Sequence, residues 1–543
     1  MARISDPAVV RRFRKVEARI SAIEEALGLP LPPDPPDPPD PPVGDLGSVG
    51  MNLAGLADYS TQYPFLDALR LSRPWTAHLP GQWGGVPRAA VDAVSSPEGH
   101  LNAMPAGAGT VTLLALVEIP AAMTSAAGRW RLACDGAGTF RVNGAVSNVT
   151  QNPGEVLFDY TPSGHGIVAI DVTAIDRANP LRFRSLVHER DRARHEAGEV
   201  FNPAWLARIS RLSPLRFMDW QLTNHSPLSE WSDRPVVSDY TWMRRGIPLE
   251  IMVRLCNEAG VEMWACIPHL AADDFTTRFL EYCRDNLRGR LLVEHSNEVW
   301  NGMFGQAQWA YRQAEALFPG DPEGWMKVHG VRTAHIGGIV DRVYAGQRSR
   351  AQVVAGQHYG WRGLEIAMLE APGWVSPVRP YERCDAYAVT GYFGYSFANS
   401  RAAELDGWRR DFGDAEAITR CLDALEAEIL GMAGGFAYHR AAADRYGLKL
   451  VMYEGGSHVL PARNDANLIA FLRQMHRDPR IGYLYSLLLE TWKIAGGEES
   501  CLFVDINRVD QNGFFGTLEH IDDSTPRWDA VQEFLREEPR WWT

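Results

Sequence analysis

The sequence has no run of 18 or more apolar residues, and its opening Met-Ala-Arg-Ile-Ser-Asp-Pro lacks an apolar core. Neither membrane insertion nor a Sec leader is expected. It also lacks paired cysteines. Cys134, Cys256, Cys266, Cys283, Cys384, Cys421 and Cys501 are scattered, odd in number and without a CxxC spacing, which argues against a disulfide framework or a structural zinc site. There is no HxH or HExxH pattern, so a metal hydrolase is disfavoured and no metal or cofactor is expected. Positive charge is in deficit, with a formal net charge of −13, which argues against nucleic acid or an anionic membrane as partner. What the chain does have is 543 residues, 45% of them hydrophobic, and 18 tryptophans. That is enough for two or three domains with large cores, and the tryptophans suit either a core or flat platforms for sugar rings.

Two stretches stand out. Leu291 to Val293 is an apolar run that turns polar and ends on Asn297-Glu298, with Trp300 just after and a helical pattern from about Phe304 to Leu317. Lys449 to Met452 is a second apolar run, ending on Tyr453-Glu454 before two glycines. An apolar strand opening at its C-terminal end into a carboxylate, with a helix next, is where an α/β barrel places chemistry.

Before these stretches the texture varies. Val9, Phe13, Val16, Ile20, Ile23 and Leu27 form a heptad seam within residues 6–29, and Leu31 to Pro42 is a Pro/Asp repeat confined to polyproline II. The expectation is an oligomerising helix over 1–29, trimeric from its β-branched seam, followed by a stiff spacer over 30–45. This layout resembles the base of a phage-type tail fibre, and implies synthesis in the bacterial cytoplasm with release as part of a phage-like particle. From about Trp75 to Val187 short β runs alternate with Gly, Pro and Asn turns, predicting an inserted β-sandwich over 76–189. After Pro203 strands and helices alternate to the end of the chain. Eight strands are expected, ending near Asn52, Trp220, His269, Glu298, His358, Tyr392, Glu454 and Trp492, the last over Gly482 to Trp492. That is the count for a (β/α)8 TIM barrel over 46–75 and 190–543, with the sandwich inserted after strand one.

Asn-Glu after strand four and a second Glu after strand seven resemble the clan of retaining (β/α)8 glycoside hydrolases that includes cellulases, mannanases and β-galactosidases. The resemblance implies Glu298 as general acid/base, Glu454 as nucleophile, Asn297 on the sugar 2-hydroxyl, Tyr392 as a donor to Glu454, and Trp492 as the stacking floor. Trp300, Trp220, His269 and His358 are further substrate-site candidates at strand ends. The implied activity is hydrolysis of a poly- or oligosaccharide, β-linked in the family's pattern, with the carboxylates about 5–5.5 Å apart if configuration is retained and about 6.5–9.5 Å if it is inverted. Glu294 and Glu490 compete as acids on the same predicted strands. A glycan-binding fibre head that does not turn over its ligand is the alternative reading.

Overall fold

A computed structural model describes residues 46–542. The expected oligomerising helix and Pro/Asp spacer fall outside the described residues. Eight parallel strands form one sheet: β1 (Gly50–Asn52), β2 (Leu215–Arg216), β3 (Met263–Ile267), β4 (Leu291–His295), β5 (Ala351–Gly356), β6 (Ala386–Phe393), β7 (Lys449–Ser457) and β8 (Cys501–Phe503). Their order is β7-β6-β5-β4-β3-β2-β1-β8. A parallel bridge between Met452 and Ser500 closes the circle, helped by Met452 N–H donating to Glu499 C=O at 2.8 Å. The strands read as apolar runs because both faces are covered. Trp264, Leu292, Val354, Ala388, Tyr453 and Cys501 fill the barrel interior, while a larger core separates strands from surrounding helices. At the N-terminal ends of the strands, Arg290 bonds Glu262 at 2.9 Å and Glu499 at 2.5 Å, an ionic floor far from the strand ends where chemistry is placed.

The insertion leaves after β1 and returns before β2. It holds two four-stranded antiparallel sheets. One runs in the order Thr76–His78, Thr110–Ala115, Val168–Ile175, Gly138–Gly144; the other runs Val146–Asn152, Glu155–Tyr160, Gly128–Asp135, Arg182–His188. Alternation along Glu155–Tyr160 turns Val156, Phe158 and Tyr160 inward. The chain between β1 and the first of these strands ties sandwich to barrel. Asp67 Oδ1 accepts from Leu186 N–H at 2.8 Å, and the Tyr63 ring lies 5.9 Å from that of Trp130.

The expected eighth strand, Gly482 to Trp492, is instead part of a helix, Pro479–Ile494. Asp478 accepts from Arg480 N–H as N-cap and Pro479 opens the first turn, a start signal that outweighs the apolar run behind it. An apolar run cannot be assigned by periodicity when the element is buried all round, and Leu484, Tyr485, Leu487, Leu488 and Leu489 are all buried. The true β8 is three residues long.

Trp492 therefore lies in the helical layer. Its ring is 0% exposed and sits 5.1 Å from Phe436, and its N–H donates to Glu498 C=O at 2.9 Å. A Cβ on Gly497 would come within 2.1 Å of the indole, so the glycine is needed for this packing. Trp492→Ala is expected to cost about 3–5 kcal/mol in urea unfolding. A stability close to that of the parent would contradict this placement.

Candidate active site

Arg216 is the hub of the barrel mouth. It ends β2 and is 0% exposed. Its Nη1 donates to Glu454 Oε1 at 2.7 Å and to Asn52 Oδ1 at 2.9 Å. Its Nη2 donates to Glu294 Oε2 at 2.9 Å and to Asn297 Oδ1 at 2.8 Å, and its Nε donates to Glu294 Oε2 at 3.1 Å. One fork thus joins β1, β2, β4 and β7 with charge-assisted bonds. The rings of Trp264 and Tyr453 lie against it, at 5.7 and 5.1 Å. Glu294 also accepts from Trp264 Nε1 at 2.9 Å. Burial pushes the Glu294 carboxyl up, and Arg216 works against that push.

Glu454 stands within β7 and is buried. Its second oxygen, Oε2, accepts from the Tyr392 hydroxyl at 2.8 Å. Burial first, and then Glu454, hold the Tyr392 phenol well above its ordinary range, so it stays a donor. Glu298 follows β4 on a backbone with φ of +41°, and Ser296 before it has φ of +59°. Such left-handed positions are uncommon for side-chain-bearing residues and concentrate at functional turns. Asn301 Nδ2 donates to Glu298 Oε2 at 3.1 Å. The Tyr453 hydroxyl lies 3.5 Å from Oε1 and accepts from Trp300 Nε1 at 3.0 Å. Burial, and next the charge of Glu454, push the Glu298 carboxyl up to about 8; Asn301 and Arg216 oppose this. A carboxyl that keeps its proton at neutral pH therefore stands in the field of a second acid that is bonded to a guanidinium.

Asp219, just past β2, is a fourth acid here. Burial and then Glu454 raise it to about 7. Asp505, beyond β8, is raised by burial to about 6 and accepts from Ala54 N–H at 2.8 Å and Trp205 Nε1 at 3.1 Å.

Of the other candidates from the sequence, Asn297 is gathered into the cluster. Its Nδ2 donates to Asn224 Oδ1 at 3.1 Å, and its C=O accepts from Gln306. Trp300 and His358 are half-buried partners, rings 4.5 Å apart, on the loops after β4 and β5. His269 lies at the start of the loop after β3 against Trp309, 5.8 Å away; burial lowers it to about 4, so it is neutral at working pH. Trp220 is a correction. It is 2% exposed, stacks on Trp205 at 5.7 Å and donates to Ala54 C=O at 3.2 Å, so it is core and not a sugar platform. Trp492, as shown above, is core as well. The aromatic wall expected from it is built by Phe503 at the end of β8, Phe515 and Tyr395. Phe503 lies 6.1 Å from Tyr392 and 5.3 Å from Phe515, while Tyr395 stacks on His458 at 4.8 Å. Arg216 was missed by sequence reasoning, although a lone arginine inside the apolar run Leu215 to Met218 was its signal.

No protein-family model and no curated protein matches the chain. Three solved structures similar to it are glycoside hydrolases. One is a Fusarium oxysporum 4-O-α-L-rhamnosyl-β-D-glucuronidase, at 15% identity and a TM-score of 0.37, covering 62% of this chain and 64% of that one. A second is a Bacteroides salanitronis GH5-4 broad-specificity endoglucanase, at 13% identity and a TM-score of 0.37, covering 62% of this chain and 85% of that one. The third is a Bacteroides ovatus GH5 xyloglucanase, at 11% identity and a TM-score of 0.37, covering 79% and 96%. The chain thus matches less than two thirds of the Fusarium protein's length. The (β/α)8 fold is read from the strands themselves, and the chemistry from the residues at their ends.

The raised Glu298 carboxyl has a consequence for folding. Its proton stabilises the folded state fully below the ordinary glutamate value of 4.5, and that stabilisation is lost as pH rises through about 8. Glutamine at this position carries no such loss. Glu298→Gln should therefore raise the thermal midpoint by an amount that grows from pH 5 to pH 8. A difference that does not change with pH would place Glu298 in an ordinary environment.

Proposed function

We propose that this protein is a glycoside hydrolase that cleaves O-glycosyl bonds of a poly- or oligosaccharide by double displacement, with Glu454 as nucleophile and Glu298 as acid/base. The observation that carries this reading is the division of labour between the two acids. Glu454 is held by Arg216 at 2.7 Å and Tyr392 at 2.8 Å, whereas burial and Glu454 itself keep a proton on Glu298 up to about pH 8. A carboxyl that keeps its proton, beside a second acid whose two oxygens are held by a guanidinium and a phenol, is the equipment for acid-assisted displacement at an acetal carbon.

In the first step a Glu454 oxygen bonds to the anomeric carbon as the bond to the leaving oxygen breaks, and Glu298 gives its proton to that oxygen. Esterification removes the charge of Glu454, which is the second cause holding the Glu298 carboxyl up. With that cause gone Glu298 gives up its proton more readily and stands as the carboxylate the second step needs. It takes a proton from water, the hydroxide portion bonds to the anomeric carbon, and Glu454 leaves as carboxylate. Tyr392 and Arg216 receive the displaced charge on Glu454 in donors already in place. Tyr395, Phe503, Phe515 and Trp300 supply apolar faces for the C–H side of sugar rings. The acidic cluster and the net charge of −13 favour a neutral or mixed glycan over a polyanion.

The test is hydrolysis of a panel of aryl β-glycosides and bacterial surface polysaccharides. Glu298→Gln and Glu454→Gln should each lower kcat/KM by about 10³-fold or more on polysaccharide. Azide should release a glycosyl azide of inverted configuration from Glu454→Ala and of retained configuration from Glu298→Ala. Wild-type activity should fall as pH rises through about 8, where Glu298 loses its proton. Turnover that survives Glu454→Gln would refute the assignment, and binding without turnover in the wild type would leave a glycan-binding head.

A further inference from the structure

The inserted sandwich carries an exposed indole on an unusually well-fixed turn. Trp83 is 64% exposed. It stands at the tip after strand Thr76–His78, in Gly81-Gln82-Trp83-Gly84-Gly85, whose three glycines all have φ between +72° and +90°. Leu79 N–H donates to Gly84 C=O at 2.9 Å, and Gly84 N–H donates to His78 Nδ1 at 2.7 Å. His78 Nδ1 is therefore the acceptor, so Nε2 carries the proton and donates to Thr112 Oγ1 at 3.0 Å. Thr112 in turn donates to Asp171 Oδ1 at 2.6 Å, and Asp171 Oδ2 accepts from Asn143 Nδ2 at 2.8 Å and Arg141 Nη2 at 3.4 Å. The imidazole backs one face of the indole, with ring centres 4.1 Å apart.

These residues lie in one row on one face. Val111, Leu113, Ile170, Val172 and Val142 turn into the sandwich core, so Thr112, Asp171, Asn143 and Arg141 lie on the opposite face; His78 and Thr112 are buried there, while Asp171, Asn143 and Arg141 reach the surface. The sheet order places His78, Thr112, Asp171 and Arg141 on four successive strands. Three strand spacings make the row about 14 Å long, enough for a short run of sugar rings. The Arg141 side chain at its far end is 76% exposed.

The geometry points to a second carbohydrate-binding site on this face, outside the barrel mouth, taking a segment of neutral glycan across Trp83, Asp171, Asn143 and Arg141. The open indole, with only the partly exposed Leu79 as a further apolar side chain on its turn, offers too little apolar area for the core of a protein interface. It suits an amphipathic ring with C–H groups on one face and hydroxyls at its edge. Amide, carboxylate and guanidinium side by side match hydroxyls that both donate and accept. Asp171 answers the charge of Arg141, so the row is not built for an anion. The turn is held rigid by its bonds to His78, which lowers the entropy cost of binding.

The inference rests on a glycan as the protein's ligand, the class proposed above, but not on turnover. It is tested by affinity electrophoresis of the full chain as Glu454→Gln, in gels cast with xyloglucan, galactomannan or polygalacturonate. Trp83→Ala in that background should weaken retardation in a neutral gel about tenfold. In the otherwise wild-type chain, Trp83→Ala should leave hydrolysis of a small aryl glycoside and the thermal midpoint unchanged. Retardation that survives Trp83→Ala, retardation confined to polygalacturonate, or none in any gel would overturn the site. If no glycoside is cleaved yet retardation depends on Trp83, the binding site stands and the hydrolase reading falls.

Discussion

One buried guanidinium organises the mouth of this barrel. Arg216 is the cation that Glu294 and Glu454 share, while Asp219 and Glu298 sit in the same field. A single positive charge cannot neutralise four buried acids, so protons must make up the difference. Burial holds Glu298 up to about 8 and Asp219 to about 7, and neither of these takes a direct bond from the fork. Glu454 takes Nη1 of Arg216 and the Tyr392 hydroxyl; Glu298 has an amide from Asn301 and a tyrosine hydroxyl at 3.5 Å. Burial, and next the charge of Glu454, keep the proton on Glu298, and the few donors around it only partly oppose them. Glu294 takes part of the same charge from the far side, which keeps Arg216 fixed against β4 as well as β7.

The fold serves this charge balance. In register Arg216 stands level with Asn52 and Trp264, and alternation along β2 turns it into the barrel with them. The positive φ at Ser296 and Glu298 turns the chain after β4, bringing Asn297 toward Arg216 and Glu298 toward Tyr453. The hydroxyl of Tyr453, next to Glu454 in the chain, meets Glu298, so one residue couples the two strand ends. The sandwich is joined through the segment after β1, which leaves its outer sheet face free of the barrel mouth's chemistry.

Most of the barrel was legible in the sequence because parallel strands buried on both faces leave apolar runs, and those at Leu291 and Lys449 end in acids. The sandwich was legible from alternation and turns. The eighth strand was not, because a helix buried all round has no polar stripe, and the real strand, Cys501–Phe503, is too short to carry a pattern. Trp492 was read as a stacking floor and Trp220 as a substrate-site residue because tryptophan suits sugar and core alike; only burial tells them apart. Arg216 shows the opposite case. A charge inside an apolar run carried the information, but the run was extended past it to Trp220, and the arginine was read as part of a strand instead of its functional end.

The central claim is that the cluster around Arg216 leaves the proton on Glu298. The direct measurement is an infrared titration of protonated carboxyl bands, taken as the difference between wild type and Glu298→Gln. The account predicts a band that persists through neutral pH and disappears near pH 8. A band lost near 4.5, the ordinary glutamate value, would show that Glu298 is ionised at working pH and would contradict its role as the acid.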